Sequence, residues 1–194
     1  MIDISQFEKL NVADTCSLRN LLASPALYST AESAGVRLCS TTFVRYECLH
    51  KPARRAWPER DELQKRLRAK LTAGKIVFHG IDIEDLQDFE ILKNRKKLST
   101  GELSVIVFAK KTRQAVLTDD IGAQNLAKTE LGASLVQSTA HLFAWLYFNS
   151  RMGDSDKDQI KADLRALCRT LKHLDELHTE AQRCRAMANQ PNRG

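Results

Sequence analysis

Short apolar runs and helically spaced apolar residues take turns along this chain, and their alternation predicts its architecture. Residues 9 to 14, "KLNVAD", read as a strand ending in an acid, followed by "CSLRNLLAS" with Leu18, Leu21 and Leu22 on one helical face. Pro25 punctuates the chain, "ALYSTAESA" reads as a second short helix ended by Gly35, and "VRLCSTT" (36 to 42) is a second strand. "FVRYECLHK" is a helix stopped by Pro52, and "RDELQKRLRAKL" is an amphipathic helix carrying Leu63, Leu67 and Leu71. "KIVFHG" is a third strand, and "DIEDLQDFEIL" is a helix with acids in its first turn. "STGELSVIVFAKK" is a helix with an almost wholly apolar middle, so it should lie deep against a sheet. "AVLT" is the fourth strand, "IGAQNLAKTEL" a helix closing before Gly132, "ASLVQS" the fifth strand, and "TAHLFAWLYFNSR" the helix after it.

Strands alternating with helices at this spacing predict an α/β fold: three layers, with a central five-stranded parallel sheet between helices. In such folds ligands bind beyond the carboxyl ends of the strands, near a switch in strand order. The sheet domain is expected over 9–150, a helical extension packed on it over 151–188, and a frayed tail over 189–194. In the extension Asp154 and Ser155 can cap a helix whose apolar stripe is Ile160, Leu164, Leu167, Leu171 and Leu174. That stripe would pack against the sheet domain or, alternatively, receive a partner.

Composition narrows the classes. The 194 residues, 43% hydrophobic, suffice for one full-sized core, and eight Gly with four Pro leave little room for linkers. The opening "MIDISQFEKL" lacks the basic and apolar regions of a signal peptide. "LSVIVFA" and "HLFAWLYF" fall short of the roughly 20 apolar residues a membrane span requires, so a cytoplasmic protein with no membrane association is expected. Cys16, Cys39, Cys48, Cys168 and Cys184 form no Cys-x-x-Cys pair, and the five His show no metal-ligand spacing. A net charge of +6 favours an anionic partner, nucleic acid being the obvious one.

The candidate chemistry lies in acids placed at strand ends. Asp14 ends the first strand, and Asp119 and Asp120 follow the fourth within "AVLTDDIGAQ". Glu102 stands in the first turn of the "STGELSVIVFAKK" helix, and Glu47 one turn into the helix after the second strand. Taken singly, Asp14 or Asp119 reads as a helix cap, Glu102 as a partner of a helix dipole, and Glu47 as a solvated residue. Gathered at one edge, unpaired carboxylates repel and some would protonate, a conflict that a divalent cation removes. Oxygen-only ligation selects magnesium or manganese.

Taken together, "NVADTCSL", "TTFVRYECLHK", "STGELSVIVFAKK" and "AVLTDDIGAQNLA" resemble the PIN-domain ribonucleases over roughly residues 9 to 150. "LGASLVQSTAHLFAWLYFNSRMGDSDKDQIKADLRALC" is similar to the closing segment of members with a Gly-Glu third motif. The resemblance implies a PIN-like fold and a Mg2+- or Mn2+-dependent endonuclease acting on single-stranded or structured RNA. Many members are toxins of type II toxin–antitoxin pairs, so an antitoxin protein is a candidate partner, and a homodimer is a further candidate that the sequence leaves open. Residue by residue it assigns the catalytic acids to Asp14, Glu47, Glu102, Asp119 and Asp120, with Asp14, Glu102, Asp119 and Asp120 as metal ligands. The family's Thr-x-Asp spacing favours Asp120 as the principal fourth ligand, with Asp119 in the same negative pocket; strand geometry alone favours Asp119. Cys16 stands where a Ser or Asn is frequent, so Thr15 or Ser17 would supply a hydroxyl instead.

In "KNRKK", just before the Glu102 helix, Lys96 and Lys97 are candidate phosphate contacts, and "HKPARR" is a second basic run. A haloacid-dehalogenase-type phosphatase would need Asp-x-Asp where this chain has Asp14, Thr15, Cys16. Receiver domains carry their acidic pair earlier in the strand order. No Gly-x-Gly-x-x-Gly or Gly-Lys-Ser/Thr loop supports nucleotide use. The rival of another class is a catalytically inactive PIN-like scaffold that binds RNA or a protein partner.

Overall fold

The structure, a computed structural model, describes residues 3–52, 58–82, 84, 85, 87, 88, 90 and 98–188. Five parallel strands form one sheet: β1 Leu10–Ala13, β2 Arg37–Thr41, β3 Ile76–His79, β4 Ala115–Leu117 and β5 Val136–Gln137, in the order β3-β2-β1-β4-β5. Nine described helices accompany them: α1 Thr15–Ala23, α2 Pro25–Ser33, α3 Thr42–Leu49, α4 Pro58–Thr72, α5 Thr100–Thr112, α6 Ile121–Leu131, α7 Thr139–Phe148, α8 Asp154–Ala166 and α9 Leu174–Ala188. The result is the expected three-layer α/β/α arrangement, with helices at its C-terminal end. Among the described residues no helix is long and apolar enough to cross a membrane. Lys96, Lys97, the 189–194 tail, residues 53–55 of the second basic run and much of the helix expected over 82–92 lie outside the described residues.

The sheet's order turns about β1. The first three strands progress to one side, and the chain then crosses back to place β4 on the other, with Ala13 opposite Leu117. The switch point therefore lies between the carboxyl ends of β1 and β4, where two connections leave in opposite directions and open a crevice. Helix α5 crosses beneath that point, in contact with β1, β2 and β4. Its apolar middle accounts for this: Leu103, Val105, Ile106, Val107 and Ala109 are all buried. Helix α7 is apolar around its whole circumference and buried from Thr139 to Tyr147, as a helix covered on two sides must be. Helix α9 supplies the outer cover, with His178 edge-on to Tyr147 at 4.8 Å.

Two expected elements differ. Of "ASLVQS" only Val136 and Gln137 pair as a strand, while Ala133–Leu135 make a 3₁₀ turn. The stripe from Ile160 to Leu174 is split between two helices rather than carried by one. Leu167 ends α8, Cys168 takes a left-handed conformation (φ 51°), and His173 takes another (φ 60°) just before α9. The Arg169 N–H donates to the Leu164 carbonyl at 2.8 Å and the Cys168 N–H to that of Arg165 at 3.0 Å. These two bonds make a Schellman ending, with Cys168 where glycine is usual. No glycine announces this stop, so the apolar periodicity reads straight through it.

Asp154 and Ser155 also differ from expectation, since neither caps α8. Gly153 occupies the cap position and donates its N–H to Asp156 at 2.7 Å, while Asp154 accepts from His178 at 2.7 Å and Gln182 at 3.0 Å on α9.

A residue with a Cβ at φ 51° pays a left-handed penalty of about 1 kcal/mol that glycine escapes. Cys168, exposed at this turn, is thus a place to gain stability. Cys168→Gly is expected to raise the unfolding free energy by about 1 kcal/mol and Cys168→Val to lower it, as read by urea denaturation.

Candidate functional site

At the carboxyl edge of the sheet, strands run directly into helix caps. Asp14 is the N-cap of α1, Thr41 of α3, Asp120 of α6 and Ser138 of α7. The cap of the acidic pair is therefore Asp120, not Asp119: its carboxylate accepts from the Ala123 N–H at 2.8 Å. Four helix N-termini thus stand along this edge of the sheet, each contributing partial positive charge and N–H donors.

Asp14 is the innermost acid, 1% exposed. Its Oδ1 accepts from the Ser17 N–H at 2.7 Å and its Oδ2 from the Thr118 hydroxyl at 2.6 Å. Both donors are neutral, and among the described residues Asp14 has no ion pair. Burial therefore dominates and pushes its pKa up to about 7, with the Asp119 charge adding to the rise against the pull of the hydrogen bonds. Ser17, one of the two hydroxyls expected near Asp14, contributes its backbone N–H instead.

Asp119 lies close enough for its charge to act on Asp14. Three bonds fix it: Asn20 Nδ2 donates at 2.7 Å, the Thr139 N–H at 2.8 Å and the Thr139 hydroxyl at 2.6 Å. Thr118 ties Asp14 to the start of α6, donating to Asp14 while accepting from the Asp120 N–H at 3.2 Å. Glu47 is reached through Thr15, whose hydroxyl donates to Glu47 Oε2 at 2.6 Å; the Lys51 ammonium stands 3.2 Å from Oε1.

Beneath Glu47 lies Gly101, where a Cβ would come within 2.6 Å of Oε2. The Gly-Glu pair thus does two jobs: Gly101 makes room for one acid, and Glu102 is the next. Glu102 itself is turned into a capping box, accepting from the Ser99 N–H at 2.7 Å while Ser99 Oγ accepts from the Glu102 N–H at 3.2 Å. Asp14 and Asp119 thus stand within electrostatic reach of one another, and Glu47 is bonded to Thr15, the residue after Asp14, while the carboxylates of Glu102 and Asp120 are engaged at the starts of α5 and α6. Among the described residues no group of three or more His, Cys, Asp or Glu stands ready-made for a metal ion.

Several residues of this network escape a reading of the sequence. Arg169, turned inward by the Schellman ending, donates to Asn20 Oδ1 at 2.5 Å and to the Cys16 carbonyl at 3.2 Å. It thereby joins the connection after α8 to the residue that holds Asp119. Asn20 and Thr139 carry no local signal, since their partners lie far along the chain. Thr118 does carry one, as the Thr of Thr-x-Asp, and Ser99 another, as the Ser of Ser-x-x-Glu. Burial and the nearby Asp14 charge push the Cys16 thiol up to about 11, away from the thiolate form.

No model of a known protein family matches the chain, and a search of curated proteins finds no match. The likeness to PIN-domain ribonucleases rests on the motif residues alone.

The buried charge has a consequence for stability. Asp14 titrates at about 7 in the folded chain against an ordinary 3.8, so between those values the folded state holds the extra proton. Stability then falls as pH rises through that window, and the penalty is complete above it. In EDTA, Asp14→Asn is expected to melt above the wild type at pH values above 7, with the gap closing toward 3.8. A gap independent of pH in thermal melts would contradict this.

Proposed function

We propose that the chain is a metal-dependent endoribonuclease of the PIN-domain kind, hydrolysing phosphodiester bonds in single-stranded RNA. Asp14 carries the proposal. A carboxylate buried at a switch point, with no ion pair among the described residues and beside a second carboxylate, is destabilised by its surroundings, and a bound cation would relieve it. Its two hydrogen bonds leave about half of its four lone-pair directions open. The donors are all oxygens, which suits Mg2+ or Mn2+.

Asp14 and Asp119 would hold the ion, joined by Glu102 and Asp120 as they turn from their caps, with Glu47 direct or through water. When bound, such an ion supplies a Lewis acid and an acidified water. The chain's own residues do the positioning. Thr118 and Ser17 hold Asp14, Asn20 and Thr139 hold Asp119, and the helix N-termini along this edge favour an anionic phosphodiester. Glu47, seated on Gly101 and held by Thr15, accepts the proton lost by the attacking water. By the resemblance, products carry 5′-phosphate and 3′-hydroxyl ends, and the chain is the toxin of a type II pair with an antitoxin partner.

Cleavage of a labelled single-stranded RNA is expected with Mg2+ or Mn2+ and not in EDTA. Asp14→Asn and Asp119→Asn should abolish it with the fold intact. Asp120→Asn keeps the cap and loses the ligand charge, so cleavage should fall, by less than in Asp119→Asn because Asp119 is the acid held by three bonds within reach of Asp14. Asn20→Ala, which frees Asp119 on one side, should cost about 10–100-fold in activity or metal affinity. RNA binding with no cleavage in any divalent cation would favour the inactive scaffold instead.

Gly101→Ala isolates the seat of Glu47. The added Cβ meets the end of a flexible side chain, so Glu47 should shift while the fold loses no more than about 1 kcal/mol. Cleavage should fall as far as in Glu47→Gln. Unchanged cleavage by a folded Gly101→Ala protein would remove Glu47 from the mechanism.

A further inference from the structure

Helix α3 has two unlike faces. Val44, Glu47, Cys48 and Leu49 are buried, whereas Arg45, Tyr46 and, just past the helix, His50 and Lys51 are exposed. Tyr46 is 53% exposed, a large exposure for a ring with so much apolar surface. It lies nearly parallel to the His50 ring, with centroids 6.3 Å apart and planes 29° apart. A cavity of about 510 Å³ opens beside it, lined by Thr42, Phe43, Tyr46, Glu47, Lys51 and Thr100. Such a volume lies within the range of about 300–1,000 Å³ usual for sites that hold small molecules. One wall thus carries a carboxylate of the acidic site, and another carries an exposed aromatic ring flanked by cations.

Resting on the nuclease reading, we propose that Tyr46 is a stacking platform for one nucleobase of the single-stranded RNA, next to the phosphate that reaches the acids. Any base presents a π-face to a tyrosine ring, so the contact holds the strand without selecting its sequence. The His50 ring lies 6.3 Å away on the same exposed side. Lys51, 3.2 Å from Glu47 Oε1 and itself 56% exposed, lines the same cavity, where its ammonium can contact the RNA backbone. Arg45 extends the positive charge along the same face. A duplex could not use this arrangement, because its bases are already stacked on one another. The cavity therefore accounts for a preference for single strands, which the acidic cluster alone does not supply.

The test is fluorescence anisotropy of a labelled oligoribonucleotide with the full chain in EDTA, where the RNA stays intact, paired with cleavage kinetics in Mn2+. Tyr46→Ala is expected to weaken binding by about 5- to 100-fold and to raise KM more than it lowers kcat, with Tyr46→Trp restoring both. An abasic scan of the oligonucleotide adds the readout that a structural role would not move. One position should weaken wild-type binding and leave Tyr46→Ala unaffected. Unchanged binding by Tyr46→Ala in a protein that cleaves RNA would overturn the platform and leave the nuclease reading standing. So would a weakened Tyr46→Ala with every abasic position still mattering. A wild type that neither binds nor cleaves RNA would overturn both.

Discussion

The site is organised around a carboxylate that cannot reach water. Asp14 ends the central strand and begins α1, and neither role can be moved without moving the sheet. Among the described residues its charge is met by a backbone N–H and a hydroxyl, which is weaker compensation than a counter-ion in a medium of low dielectric. Everything placed next to it bears on that imbalance. Thr118 bonds to it from just past β4, Asp119 worsens the repulsion, and Arg169 comes near through Asn20 without touching either acid. The structure keeps an unfavourable charge where a purely structural helix cap would have done as well with serine or threonine.

The caps explain how the site is assembled. A parallel strand that runs into a helix at its carboxyl end must satisfy the helix's first N–H groups, and a short acidic or hydroxyl side chain does this locally. Asp14, Thr41, Asp120 and Ser138 all serve in this way. The same requirement gathers acids at the one edge where such a fold can bind a ligand. Capping and ligand binding are therefore not rival accounts of Asp14 or Asp120, since a carboxylate has lone pairs enough for both. Glu102 shows the same economy, its carboxylate closing a capping box with Ser99 while the preceding Gly101 seats Glu47.

The sheet, its parallel strands and nearly every helix were legible because their signals are local: alternating periods, caps and glycine stops. What escaped depended on contacts distant in sequence or on a turn with no marker residue. The split at Leu167 is of the second kind, since Cys168 adopts a conformation that periodicity does not encode. It also hides Arg169, which reaches the site only because the chain reverses there. Within the site, the strand-end acids stood out. Which of Asp119 and Asp120 caps α6 did not, because either spacing is compatible with the strand that precedes them. The fifth strand shortened for a similar reason: an apolar "SLV" suits a 3₁₀ turn as readily as an edge strand.

The central claim is that Asp14 and its neighbours exist to hold a divalent cation. Titration calorimetry of Mn2+ into the chain, repeated in buffers of different ionisation enthalpy at a pH below the Asp14 pKa of about 7, measures both binding and the protons it displaces. The account predicts saturable binding with proton release, both lost in Asp14→Asn. Binding that releases no proton and survives Asp14→Asn, or no binding by the wild type at any pH, would contradict it.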